Sequence, residues 1–269
     1  MVCRIAVVLF ALSLGAQERQ VVYDLDSRLE AMGESLAKEV RQQTTPVDSP
    51  AALAYTEALG RKLAPHLPDG RFSWRFALIR ALSGSRTHEP AWLPGGYIFV
   101  PTDLILTAES EAEYAGMLAH AMAHSAARHG SRAAVSGQSA NLSRIPLVFI
   151  GGWNGAGESS LRVPVGFLKF AREYELEADT IAARAMAGAG YDPAALERYI
   201  ERTQRDPEGP KAEYSALPAK QFRLAEFRRT MAELPARDYP LDESEFRSIQ
   251  EQVRAIAPRL VDRPPTLRR

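Results

Sequence analysis

Glu111 to His129 is the segment that most limits what this chain can fold into. Ser110 and Glu113 have the spacing of a capping box, Gly130 offers a stop, and seven alanines lie between the larger side chains. The pattern predicts a helix over 111–129 slim enough for close packing. His120 and His124 sit four residues apart on it, so their imidazoles project from one face about a turn apart. That is the bite of a zinc-binding helix. Taken alone it is also what an ordinary surface or core helix can carry, so a third ligand must decide.

A candidate lies downstream, where Arg172-Glu173-Tyr174-Glu175-Leu176-Glu177-Ala178-Asp179 again puts two carboxylates, Glu175 and Asp179, one turn apart. Glu175 could complete a two-His, one-Glu site; a solvated acidic helix face is the competing reading. Other titratable groups fit bland roles. Glu113 suits the capping box, Glu173 and Glu177 should point away from the face of Glu175, His66 and His88 fall in turn-like segments, and His129 suits a structural role. Trp92 reads as a packed aromatic before it reads as the lining of a groove.

Composition narrows the class. Among 269 residues, 33 Lys and Arg balance 33 Asp and Glu, hydrophobic residues make up 46% and charged residues 25%. One globular domain of this size buries enough surface to fold without disulfide or metal, so a metal site here would serve function first. Zero net charge excludes the strongly basic footprint of a nucleic-acid partner. Arg4, the apolar run Ile5 to Leu14 and Gly15-Ala16 have the layout of a signal peptide over 1–16, an uncleaved anchor helix being the other reading. Export to the periplasm or envelope, or secretion, is expected. Cys3, the sole cysteine, falls inside the segment that cleavage would remove.

The rest of the chain reads as one domain over 17–256 followed by a flexible tail over 257–269. Leu25, Leu29, Met32, Leu36 and Val40 predict a first helix ending before Thr44-Thr45-Pro46. Asp48-Ser49 offer capping oxygens to a second that begins at Pro50 and runs to Pro68-Asp69-Gly70. Phe72 to Ile79 reads as a strand, and Pro94-Gly95-Gly96 as a tight turn feeding a strand over Tyr97 to Val100. Ser131 to Gly157 is expected to be a loop or lid, with an apolar patch, Ile145 to Trp153, that offers a peripheral membrane contact. A long helix from about Arg162 to Ala187 should stop at Gly188, with Asp192-Pro193 capping the next.

Four blocks, in order, resemble the Peptidase_M48 zinc metallopeptidases, which include CAAX prenyl endopeptidases and bacterial envelope quality-control proteases. They are Leu93-Pro94-Gly95-Gly96-Tyr97-Ile98-Phe99-Val100; Glu113 through His120 to His124 and His129; Arg172-x-x-Glu175-x-x-Ala178-Asp179; and Gly190-Tyr191-Asp192-Pro193. The resemblance runs from about Met32 to Arg223. It implies an α+β, mostly α, zincin-like domain with a small β-sheet beside the metal-binding helix. It also implies Zn2+ held by His120, His124 and Glu175, with Asp179 as the outer carboxylate that orients a ligand imidazole. The turn and strand at Gly95, Gly96, Tyr97 and Ile98 would form a sheet edge to which a polypeptide in extended form adds.

The pattern breaks in two places. The family motif H-E-x-x-H reads His120-Ala121-Met122-Ala123-His124 here, so Ala121 stands where the general base of peptide-bond hydrolysis by zinc-activated water belongs. Further on, Ser215-Ala216-Leu217-Pro218 then Arg223 stands where relatives carry Ser-Thr-His-Pro and an arginine, so Leu217 replaces a histidine. The ligands are kept. The expectation is a zinc-binding protein of weak or abolished proteolysis, the alternative a chaperone-like, peptide-binding pseudoprotease, with no other carboxylate well placed to replace the missing one.

Overall fold

The computed structural model describes residues 33–261 apart from 35, 43, 70–72, 81–88, 131, 133–164, 207–216 and 240–241. The expected signal segment, most of the 131–157 loop with its apolar patch, and residues 262–269 lie outside the described residues. Two short runs open the described chain: residues 36–42 are helical, and α1 spans Pro50–Leu63. Pro50 opens α1 as expected, but Ser49 makes no side-chain cap hydrogen bond, so the fixed φ of proline does that work unaided.

Three short strands follow: β1 (Arg75–Ile79), β2 (Ala91–Leu93) and β3 (Tyr97–Pro101). They form a sheet of order β1-β3-β2, with β1 parallel and β2 antiparallel to β3. The β2-β3 connection is tight because Gly95 and Gly96 both take positive φ, 82° and 77°. Alternation along β3 splits the core. Ile98 and Val100 face the main cluster with Leu78 and Trp92, while Tyr97 and Phe99 face a smaller one with Leu36, Ala37 and Val40 from the first helical run. All five β3 residues are buried.

This topology corrects one expectation. The strand over Tyr97 to Val100 is the inner strand, not an edge: both sides of Tyr97 and Ile98 are already paired, to Arg75 and Leu93 and to Phe76 and Trp92. The edges of this sheet are β1 and β2. β2 escapes notice in the sequence because three residues are too few to show a period.

Helices complete the fold: α2 (Thr102–Thr107), α3 (Glu111–Ala126), α4 (Val165–Ala189), α5 (Ala194–Thr203), α6 (Lys220–Glu233) and α7 (Ser244–Val261). α3 is the hub. Every residue from Ala112 to Ala126 is buried, and the helix packs on α4, α5, α1, β2 and β3. A Cβ on Gly116 would lie 2.8 Å from Leu196 Cβ, so that approach of α5 tolerates no larger residue. At the start of α3, Ser110 Oγ accepts from Glu113 N at 3.2 Å. The return bond of a capping box is absent: Glu113 accepts from Glu109 N and pairs with Arg202 at 2.7 Å.

Two helix ends differ from expectation. α3 stops at Ala126 rather than near Gly130, because Arg128 takes a left-handed φ of 56° while its guanidinium pairs with Asp69 at 2.7 Å. α4 passes through Gly188 and stops at Gly190 (φ 88°), where Tyr191 N bonds Met186 O and Gly190 N bonds Ala187 O, a Schellman ending. Asp192 Oδ1 accepts from Ala194 N at the start of α5, as the sequence predicts. α7 runs to Val261, five residues past the expected end of the domain at 256. The described fold is mostly helical with one small sheet beside α3, the architecture the resemblance implied.

Candidate metal centre

His120 and His124 both lie on the buried face of α3, and Glu175 comes to them from α4, which packs along it. Among the described residues these three form the group whose donor atoms converge, all within 4.8 Å of one another. His120 Nε2 lies 3.2 Å from His124 Nε2 and 3.3 Å from Glu175 Oε2; His124 Nε2 lies 3.5 Å from Glu175 Oε1. Zinc bonds of about 2.0–2.2 Å in tetrahedral array separate neighbouring donors by roughly 3.3–3.5 Å, so this spacing suits such an ion. Glu175 Oε2 is also buried with no well-aligned hydrogen bond, an arrangement costly for a carboxylate unless a cation faces it.

Each imidazole is held from behind. His120 Nδ1 lies 2.9 Å from Asp179 Oδ1. Asp179 in turn takes two 2.7 Å bonds from Arg223, whose remaining nitrogen Nη1 donates to Gln204 Oε1. Asp179 and Arg223 are both fully buried. Asp179 thus stands behind the His120 ring, and Arg223 on α6 fixes Asp179.

His124 is held by an unexpected partner. Its Nδ1 lies 3.0 Å from His129 Nδ1, and His129 Nε2 faces Glu177 Oε2 at 3.3 Å, with Arg132 on the same carboxylate at 2.8 Å. On an unbroken helix a residue five positions on points well away from its predecessor. The left-handed turn at Arg128 breaks α3 and carries His129 back to His124. Burial lowers the pKa of His129 to about 4, leaving it neutral, and the His129 contact, ahead of Arg132, holds Glu177 at about 2. The contact between the two Nδ1 atoms fixes the His124 ring from behind and leaves its Nε2 turned toward His120 and Glu175. Trp92 stacks on the His124 ring at 4.9 Å and 10°, and Tyr174 on His129 at 4.7 Å. Trp92 is therefore a packed aromatic, and the ring it packs is one of the three candidate donors.

The electrostatics ask for a cation. Burial would lower His120, yet Asp179, Glu175 and Glu89 outweigh it and raise it well above the ordinary value. Burial would raise Glu175, and His124 and His120 outweigh that to hold it well below the carboxylate range. Asp179 is likewise lowered, against its burial, by Arg223 and His120. A proton on His120 is the smallest cation that balances this cluster; a metal ion with the same donors would displace it. The residues present fit a divalent metal.

Glu89 is the group that sequence reasoning missed. Its Oε1 lies 3.3 Å from His120 Nε2 with the side chain 10% exposed, so a carboxylate besides Glu113, Glu173 and Glu177 reaches the centre. Burial, with Glu175 adding to it, raises its pKa against the pull of His120. No spacing pointed to it: Glu89 stands alone, 31 residues before His120, in a turn-like stretch ahead of β2. Ala121 is fully buried beside His120 and brings only a methyl group. Gly95, Gly96, Tyr97 and Ile98 build the β2-β3 hairpin and contribute no donor atom to the converging group.

Residues 83–231 match the sequence profile of Peptidase family M48. The chain is 24% identical over 185 residues to the beta-barrel assembly-enhancing protease of Escherichia coli K12, covering 64% of this chain and 36% of that one. The Yersinia pestis protein of the same name is 24% identical over 186 residues, 64% of this chain and 37% of its own. A Vibrio cholerae relative is 26% identical over 183 residues, 63% and 36% respectively. The match thus spans little more than a third of the length of these curated relatives.

Proposed function

We propose that this chain, which belongs to Peptidase family M48, is an exported zinc metalloendopeptidase-family protein of the bacterial envelope whose hydrolysis of peptide bonds is slow. The observation that carries this reading is the convergence of His120, His124 and Glu175, with each imidazole held from behind. Bound there, zinc would polarise the scissile carbonyl and the attacking water. The protein's own part is to aim both Nε2 atoms at the metal position, through Asp179 and His129, and to hold Glu175 ionised.

Slowness follows from Ala121. General acid-base catalysis is worth about 10² to 10⁴ in rate, and a methyl group can neither take nor return a proton, which adds roughly 3–5 kcal/mol to the barrier unless another group serves. Support for an extended polypeptide substrate comes from β2, the sheet edge whose Trp92 lies on His124. The relatives' name, which refers to assembly of beta-barrels, supports an envelope or periplasmic setting and a protein client. A peripheral membrane contact through residues 145–153 belongs to the same proposal; among the described residues no helix is long and apolar enough to cross a membrane.

One observation favours a second reading, a chaperone-like pseudoprotease that holds clients without cutting them: the supports of the metal are complete while position 121 is disarmed. Zinc content and hydrolysis of an unfolded protein, with and without chelator, separate the two. The first reading expects one zinc per chain and slow, chelator-sensitive cleavage, with zinc at 100 times its Kd stabilising the fold by about 2.7 kcal/mol. Stoichiometric zinc with saturable client binding and no cleavage selects the second, and a protein that stays metal-free when zinc is supplied refutes both.

A further inference from the structure

Glu89 is a largely but not fully buried carboxylate beside the centre, outside both the metal-holding trio and its supports. It reaches the same atom, His120 Nε2, that turns toward the metal position, and at the same 3.3 Å as Glu175 Oε2. It arrives on a different element, the segment leading into β2, where Pro90 and Trp92 are also buried and the Trp92 ring covers His124. Glu89 is not a member of the group of donor atoms that converge on one another. It stands beside the trio, on an element that also carries the sheet edge.

A carboxylate beside a metal site, close to a ligand but outside the converging donors, is placed to handle a proton. Position 121 needs such a group. We infer that Glu89 takes the proton-carrying role that Ala121 cannot fill, so that the carboxylate serving hydrolysis has moved from α3 to the segment before β2. In the step this implies, the water oxygen bonds to the scissile carbonyl carbon while one water proton passes to a carboxylate oxygen of Glu89. Glu89 then returns that proton to the amide nitrogen as the C–N bond breaks, giving a carboxyl and an amine. Nothing is oxidised or reduced, and water is the only co-reactant. The inference rests on the metallopeptidase reading above and deepens it by naming the residue through which the slow reaction runs.

The test compares full-length wild type with Glu89→Gln, Glu89→Asp, Ala121→Glu and the Ala121→Glu/Glu89→Gln double variant, each loaded with zinc. Three quantities are read: bound zinc, cleavage of an unfolded protein, and affinity for a peptide hydroxamate, whose hydroxyl proton the same carboxylate would take. Glu89→Gln is expected to keep its zinc and lose cleavage by about 10²-fold or more. Its hydroxamate affinity should fall by about tenfold or more, through loss of a charged hydrogen-bond partner. Glu89→Asp, which keeps the charge but shortens the reach, should fall between the two. The double variant should regain cleavage through the carboxylate introduced at position 121, showing that the site is still folded. The inference is overturned if Glu89→Gln retains zinc, cleavage and hydroxamate affinity alike. It is also overturned if Glu89→Gln loses its zinc, which would make Glu89 a ligand, or if zinc-loaded wild type cleaves nothing while Ala121→Glu cleaves. A wild type that takes up no zinc would defeat the metallopeptidase reading itself, a result distinct from the others.

Discussion

Behind the two imidazoles, buried polar groups answer one another: Asp179 is clamped by Arg223, Arg223 by Gln204, His124 by His129, and His129 faces Glu177. In front of them, among the described residues, stand a methyl at position 121 and the carboxylate of Glu89, which reaches in from another element. On the proposed reading the back would hold an ion and the front would perform a reaction, and the two should tolerate change differently. A buried charge that loses its partner destabilises the whole fold, whereas loss of a group that only moves a proton is felt in the rate alone. Sequence drift can therefore empty the front while the back stays intact.

Arg223→Met should break this contrast hardest. It strands Asp179 in the core and is expected to cost about 3–5 kcal/mol in urea denaturation, with loss of zinc. Arg223→Met/Asp179→Leu, which removes both charges, should recover much of that stability but none of the zinc affinity. An Arg223→Met protein whose stability stays within about 1 kcal/mol of wild type would mean that the back is not built as described.

His129→Phe keeps the packing against Tyr174 but removes the partner of His124 Nδ1. Zinc affinity, measured against a chromophoric chelator, should fall by about 10- to 100-fold, the usual weight of a group that orients a ligand. No change would reduce His129 to packing. Arg128 offers a finer cut. Arg128→Ala keeps the left-handed turn, at a cost of roughly 1–2 kcal/mol for a residue with a Cβ, while losing the Asp69 pair; Arg128→Gly relieves the turn. The glycine variant should be the more stable by thermal denaturation, and the reverse order would deny that the turn is strained. Smallest of all, Arg132→Ala removes a half-exposed ion pair and should cost at most about 1 kcal/mol.

Much of the back was legible in the sequence because helical spacing is a strong rule: His120 with His124, and Glu175 with Asp179, each fall one turn apart on an unbroken helix. What escaped notice depended on broken rules. His129 meets His124 through a left-handed arginine, and no pattern of residue types announces that conformation. Glu89 is a single residue in an irregular stretch, brought to the site by the sheet. The hairpin strand was recognised as a strand, yet its place in the sheet depended on β2, three residues long. Glycine position predicts a helix stop at Gly188, but Gly188 packs against His66 inside α4, and it is Gly190 that takes the positive φ ending the helix.

The Asp179–Arg223 clamp joins positions 44 residues apart, and Gln204 joins it from between them. Closing a loop of that length carries an entropic cost, so the clamp depends on α6 being docked against α4. While α6 is undocked, the charge of Asp179 has no guanidinium to balance it and His120 has no fixed orientation. The candidate centre therefore depends on the completed domain: a chain still short of residue 223 lacks the clamp behind His120, so the ability to hold an ion would come only once α6 is in place.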